Sequence, residues 1–173
     1  MARYANTAVS QTTQLAGVNA GTTVNGYIGY WGASATAGFR LRRLKLGVRT
    51  TTGVVPTSQQ ISVAIYRQTT APAGTGLQAA ILGQPLETWT PQTDPTVGLI
   101  VTTATTIGTT TPVLAAQAID TVTFNSQSYL DVPYDYIEEL VCPIATANGL
   151  AFVNIGNTLP ANHFITLTPT IEV

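Results

Sequence analysis

"FRLRRLKLGVRT", residues 39–50, decides how this chain is read. Phe39 and Leu41 alternate in one phase; Leu44, Leu46 and Val48 alternate in the other. A strand has a side-chain period of two, so one extra residue switches the phase. A β-bulge at Arg42-Arg43 absorbs that residue and turns all five apolar side chains to one face. Arg40, Arg42 or Arg43, Lys45 and Arg49 then line the opposite face. A helix over the same residues gathers Leu41, Leu44 and Val48 but misplaces Leu46. Gly38, Gly47 and Thr50-Thr51-Thr52 also favour a strand. The stretch is expected as a bulged strand with one apolar face and one row of positive charge.

The same period recurs along the chain. "HFITLTPTIEV" sets Ile165, Leu167, Ile171 and Val173 against Thr166, Thr168, Thr170 and Glu172. Pro169 falls on its apolar face and has no N–H to give, which predicts an edge strand or a bend there. "QISVAIYR" and "DTVTFN" alternate in the same way, and "VNGYIGYWG" reads as a glycine-punctuated aromatic strand. "VGLIVTT", "PVLAAQAI", "EELVCPIA" and "GLAFVNIG" are further strand candidates. Turn signals separate them, among them Asn25-Gly26, Thr52-Gly53, Asp94-Pro95 and Gly156-Asn157. Asn148-Gly149, between two apolar runs, predicts a type I′ hairpin. "YDYIEEL" has room for one helical turn and no more. Roughly eight to ten short strands with frequent turns predict an all-β sandwich or barrel. Residues 1–20 are mostly Thr, Asn, Gln, Ala and Gly, and are expected as an extended N-terminal arm, disordered or lying on a neighbour. Residues 21–173 are expected as one β-sandwich domain.

Charge is scarce and unevenly placed. Charged residues make up 9% of the chain, against about 25% in an ordinary soluble domain. The hydrophobic share is 45%, enough for a full core and not the composition of a disordered chain. So few charges protect a surface poorly against association, and suit a subunit covered by its neighbours. All Lys and Arg lie at or before Arg67, and all Asp and Glu lie at or after Glu87. Two partners for the Arg row follow: the acidic group Asp131, Asp135, Glu138 and Glu139 of the same chain, or that group on another copy. A solvated sheet face is the plain alternative. A net charge of −1 and the lack of aromatic residues interleaved in the row argue against nucleic acid.

Little in the sequence points to catalysis. Cys142, the single cysteine, sits in the apolar run "ELVCPIA" and reads as a buried strand thiol. His163, the single histidine, follows "LPAN" and reads as a turn or surface residue. There is no G-x-S-x-G elbow, P-loop or dinucleotide fingerprint. The spacing of Asp131, Asp135, Glu138 and Glu139 fits no EF-hand loop. Neither cofactor nor metal is expected, and the chain is expected not to be an enzyme. No apolar run of about 18 residues suggests a membrane span. The absence of a signal-like apolar segment near Met1 leads to the expectation of a cytoplasmic assembly route. Tyr27, Tyr30, Trp31, Trp89, Tyr129, Tyr134 and Tyr136 are the aromatic residues available for a sugar-binding surface, or for a core.

The blocks "RYANTAVS", "GFRLRRLKLGVRT", "SQQISVAIYRQT", "FNSQS", "EELV" and "ANGLAF" resemble virion structural proteins of tailed phages, especially phages of actinobacteria. The resemblance is spread over most of the chain. It implies a small all-β protein of jelly-roll type, in many copies on a particle, with a capsid decoration (cement), minor capsid or minor tail role. For a decoration protein it implies the major capsid protein and sister subunits of a homotrimer as partners. In that setting the Arg row and the acidic group are expected at protein–protein contacts. A head-fibre or tail module that binds a host receptor or glycan is the alternative.

Overall fold

The computed structural model describes residues 2–10, 26–70, 84–86, 98–101 and 113–173. Among these there is no helix, and the strands form two antiparallel sheets. In chain order they are β1 (Arg3–Ala5), β2 (Ala8–Val9), β3 (Tyr27–Gly32), β4 (Phe39–Thr50), β5 (Gln60–Thr70), β6 (Gln84–Pro85), β7 (Gly98–Val101), β8 (Val113–Leu114), β9 (Asp120–Asn125), β10 (Leu130–Pro133), β11 (Leu140–Cys142), β12 (Gly149–Asn154) and β13 (His163–Glu172). The first sheet runs β10-β4-β13-β1-β6, with β11 continuing beside β4 and β2 beside β13. The second runs β7-β3-β12-β5-β8, with β9 also on β5. One core joins their inner faces: Leu41, Leu44, Leu46, Ile165, Leu167 and Ile171 from the first sheet meet Ile28, Trp31, Ile61, Val63, Ile65, Leu150 and Phe152 from the second. This is the expected β-sandwich.

The bulge falls where the phase slip predicts it. Thr170 lies opposite Arg43 and Ile171 opposite Leu41, which leaves Arg42 as the extra residue of β4. On the other flank of β4, β10 pairs along residues 43–46 and β11 along residues 39–41. Between them the Tyr134 N–H donates to the Arg42 carbonyl at 2.8 Å, so the bulged peptide keeps a partner. Phe39, Leu41, Leu44 and Leu46 are all buried. A second bulge lies in β3. Phe152 faces Gly29 and Val153 faces Tyr27, so Ile28 is extra. Ile28 and Trp31 thereby share the inner core while Tyr27 and Tyr30 share the outer face of the second sheet.

Four expectations change. Of the stretch 1–20 expected as an arm, residues 3–5 and 8–9 are strands on β13, and residues 11–20 lie outside those described. The strand with Pro169 is not an edge: β13 lies between β4 and the β1–β2 pair. The hydrogen bonds Ser10 N–H to Ile165 O and Val173 N–H to Ala2 O show which residues of β13 address β1 and β2. Pro169 is in the same phase, and its nitrogen meets the break between those two short strands, where no ladder bond is lost. Asn148-Gly149 is not a hairpin, because β11 belongs to the first sheet and β12 to the second. Gly149 serves close packing instead. A Cβ there would lie 2.8 Å from Tyr30 Cδ2 and 2.9 Å from the Trp31 carbonyl oxygen. His163 is buried at the head of β13. Its Nε2 accepts the Thr57 N–H at 3.1 Å, and its Nδ1 is 3.0 Å from the Ala161 oxygen. The Thr52-Gly53 turn is present, with Gly53 at φ 85°.

Candidate interaction face

The outer face of the first sheet brings the charged residues together. Arg42 is the hub. Its Nε donates to Glu172 and its Nη1 to Glu139 Oε2 at 2.8 Å. Its guanidinium packs over Tyr136, with the central carbon 4.2 Å from the ring centre. Burial works against the guanidinium charge. The hydrogen bond and charge of Glu172, followed by Glu139, reverse that effect and raise its pKa. The third nitrogen, Nη2, is buried with no hydrogen-bond acceptor. Arg40 reaches Glu139 more loosely, at 3.4 Å, and keeps 42% of its side chain exposed.

Arg43 forms a separate pair with Asp131. Both carboxylate oxygens are engaged, Oδ1 by Nε at 2.6 Å and Oδ2 by Nη2, the fork geometry that suits arginine. That bond holds the Asp131 carboxyl below its usual pKa against the opposing effect of burial, and the charges of Arg43 and Lys45 add to it. Lys45 lies directly opposite Asp131 in the register. Arg49 instead packs over the Phe164 ring at 5.2 Å. Asp135 and Glu138 are exposed in the turn after β10, which closes through Glu138 N–H to Asp135 O at 3.0 Å. They have no ion-pair partner among the described residues.

Of the nine charged residues singled out in the sequence, Arg40, Arg42, Arg43, Asp131 and Glu139 thus meet within one chain. Lys45, Arg49, Asp135 and Glu138 are left facing outwards. The charge split along the sequence is realised by neighbouring strands: β4 supplies the cations, and β10, the turn after it and β13 supply the anions. Glu172 is the partner that sequence reasoning missed. The alternation of "HFITLTPTIEV" already put it on the polar face, but nothing marked β13 as the neighbour of β4.

Beneath this face the polar groups are structural. The Tyr134 hydroxyl donates to Asp120 Oδ2 at 2.6 Å and ties the turn after β10 to the start of β9 in the other sheet. Burial, then that carboxylate, push the phenol pKa up. Burial also pushes the Cys142 thiol up to about 12, so it is protonated at neutral pH and a poor nucleophile. No group of three or more metal-ligating side chains occurs among the described residues. Of the seven aromatic residues weighed for sugar binding, Tyr27, Tyr30, Trp31 and Tyr134 are buried and Trp89 lies outside the described residues. Tyr129 and Tyr136 are exposed, at 77% and 67%. Comparison of the chain with protein-family models, with curated proteins and with solved structures gave no match.

Proposed function

We propose that the chain is a non-enzymatic structural subunit of a tailed-phage particle. More narrowly, it is a capsid decoration protein bound as a homotrimer to the outside of the major capsid protein shell, which it stabilises. The order of the strands supports this reading most directly. In a jelly roll eight strands, B to I, form the sheets B-I-D-G and C-H-E-F. The observed order supports such a scheme when β1/β2, β3, β4, β5, β8/β9, β10/β11, β12 and β13 are read as those eight positions in chain order. The last strand then lies between the first and third positions, and the one before it between the second and fourth. β6 and β7 extend one edge of each sheet. A jelly roll is the architecture the phage resemblance implies, and this order of strands supports it. The sparse charge and the threonine-lined face of β13 suit a surface that a shell or a sister subunit covers. Of the nine charged residues singled out in the sequence, Lys45, Arg49, Asp135 and Glu138 form no ion pair among the described residues and are free to meet a partner.

Purified particles test it. Quantitative mass spectrometry should find hundreds of copies of the chain per particle, released together with a fall in the shell's resistance to heat. A few copies per particle would overturn it. One observation favours a second reading, a head-fibre or minor tail module that binds a host glycan: Tyr129 and Tyr136 are both exposed beside the charged face. Retention of the isolated chain on host cells, lost in Tyr129→Ala or Tyr136→Ala, would select that reading.

A further inference from the structure

The turn and strand that follow β10 carry a run of exposed apolar side chains: Tyr136 at 67%, Ile137 at 97%, Val141 at 38% and Ile144 at 57%. Ile137 stands at the tip of a turn fixed at three points. These are Tyr134 N–H on the Arg42 carbonyl, Tyr136 under the Arg42 guanidinium, and the 135–138 hydrogen bond. An isoleucine held rigidly in water costs little ordering entropy when it binds something.

A receptor for it lies on the same molecule. A largely apolar pocket of about 300 Å³ opens between residues 38–40 and residues 141–144, closed at one side by Glu172 and Val173. It exists because Gly38 lets the two segments approach: a Cβ there would lie 2.5 Å from the Cys142 oxygen. Ile137 does not fill this pocket in its own chain, as its exposure shows. The charges around the two features are opposite. Asp135 and Glu138 flank Ile137. Arg40 lines the pocket with its side chain 42% exposed and held only by its loose 3.4 Å contact with Glu139, and Arg67 donates to the Val141 oxygen beside it at 2.6 Å. Glu172, also in the lining, is already bound to Arg42.

We propose that Ile137 of one copy seats in the 38–40/141–144 pocket of a second copy, with Asp135 and Glu138 set against Arg40 and Arg67. Exchanged reciprocally between two copies the contact closes a dimer, and repeated head to tail it closes a ring. It gives the homotrimer of the proposed function a contact, but it stands on this chain alone and is tested without any particle.

Mass in solution, by sedimentation velocity at about 100 µM, tests it. The wild-type chain is expected as a closed oligomer. Ile137→Asp (knob lost) and Ile144→Asp (pocket lost) are each expected as 18.1 kDa monomers. Both positions are exposed, and an unchanged circular dichroism spectrum with a single cooperative melting transition would confirm that the variants fold. Mixing the two variants restores one intact knob-and-pocket pair, and only one, so a species of twice the monomer mass is expected. A monomeric wild type, a variant that keeps the wild-type mass, or a mixture that stays monomeric would each overturn the proposal. Failure here leaves the particle copy number untouched, so the two readings fail separately.

Discussion

The two outer faces of the sandwich are built to opposite rules. On the first sheet, β4 and β13 alternate: buried Leu41, Leu44, Leu46, Ile165 and Leu167 inside, arginines, threonines and Glu172 outside. On the second, β3 and β12 are buried at every position. The outer side of the second sheet packs Tyr27, Tyr30, Ala64, Tyr66, Ala151 and Val153 with Leu114, Ala118 and Ile155. The first sheet is half-solvated, whereas β3 and β12 at the middle of the second are covered on both sides, the difference that separates an alternating strand from a continuous apolar one. A charge is therefore tolerated on one face and excluded from the other.

The most direct way to break that contrast is to place the same cation on both faces. Ala151→Lys buries an ammonium among Tyr27, Tyr66 and Val153, where the described residues of that sheet include no buried carboxylate, and should cost on the order of 4 kcal/mol or more. Thr168→Lys, on the outside of β13, gives up the hydroxyl contact with Thr7 and faces Lys45, and should still cost only about 1 kcal/mol. Urea midpoints of the two variants measure the difference, and equal midpoints would mean that the second sheet's outer face is open to water. Within the charged face, Arg42→Ala strands the nearly buried Glu172 and exposes Tyr136. A loss of about 1.5–3 kcal/mol is expected, well above that of Arg43→Ala, whose pair is half exposed. For the same reason Arg42→Glu would damage the fold before it damaged any assembly, so a partner contact is better probed at Lys45 or Arg49.

How much of this contrast is legible in the sequence differs between the faces. The half-solvated strands announce themselves by period two, and the slip at Arg42-Arg43 locates a bulge to one of two residues. β12 and β3 are legible as strands, but a continuous apolar run does not say which side chains point where. The Ile28 bulge is silent, because tyrosine, isoleucine and tryptophan are all apolar enough to hide a change of phase. The short strands β1, β2, β6 and β10 leave no pattern, since two to four residues hold too few alternations to stand out. Partners across strands are legible only as a charge split. The split sets the acidic group against the Arg row without pairing residues, and the pairs Arg43–Asp131, Arg42–Glu139 and Arg42–Glu172 need the register of β10 and β13 against β4. The reading of Asn148-Gly149 as a hairpin fails for a physical reason. Its flanking strands belong to different sheets, and the glycine is there for contact with Tyr30 rather than for a positive φ.

The covered face has a finer test. Tyr27 donates its hydroxyl to Gln68 Oε1 at 2.6 Å in a fully buried setting, and the Gln68 amide nitrogen has no partner. Tyr27→Phe leaves the amide wholly unsatisfied while changing almost no volume, and should cost about 1–2 kcal/mol. Gln68→Leu in the same background should recover part of that loss, because an apolar group asks for no hydrogen bond. If the double variant is weaker than Tyr27→Phe alone, the site is held by shape rather than by the hydrogen bond.

The smallest expected effect sharpens the exposed face instead. Asp131 has its pKa lowered, first by the hydrogen bond from Arg43 and then by the charges of Arg43 and Lys45. A carboxyl with a depressed folded-state pKa contributes stability above its unfolded value, about 3.9, and loses it as pH falls through the folded value. Asp131→Asn removes the charge at every pH. The wild type should therefore exceed the variant slightly in urea midpoint near pH 6, and the gap should close as the pH drops below about 4. Added salt at pH 6 should narrow the same gap, because the pair faces water and is screened. A gap that persists in acid would mean that the substituted amide disturbs packing rather than charge. A gap that ignores salt would place the pair in a drier environment than a half-solvated face provides.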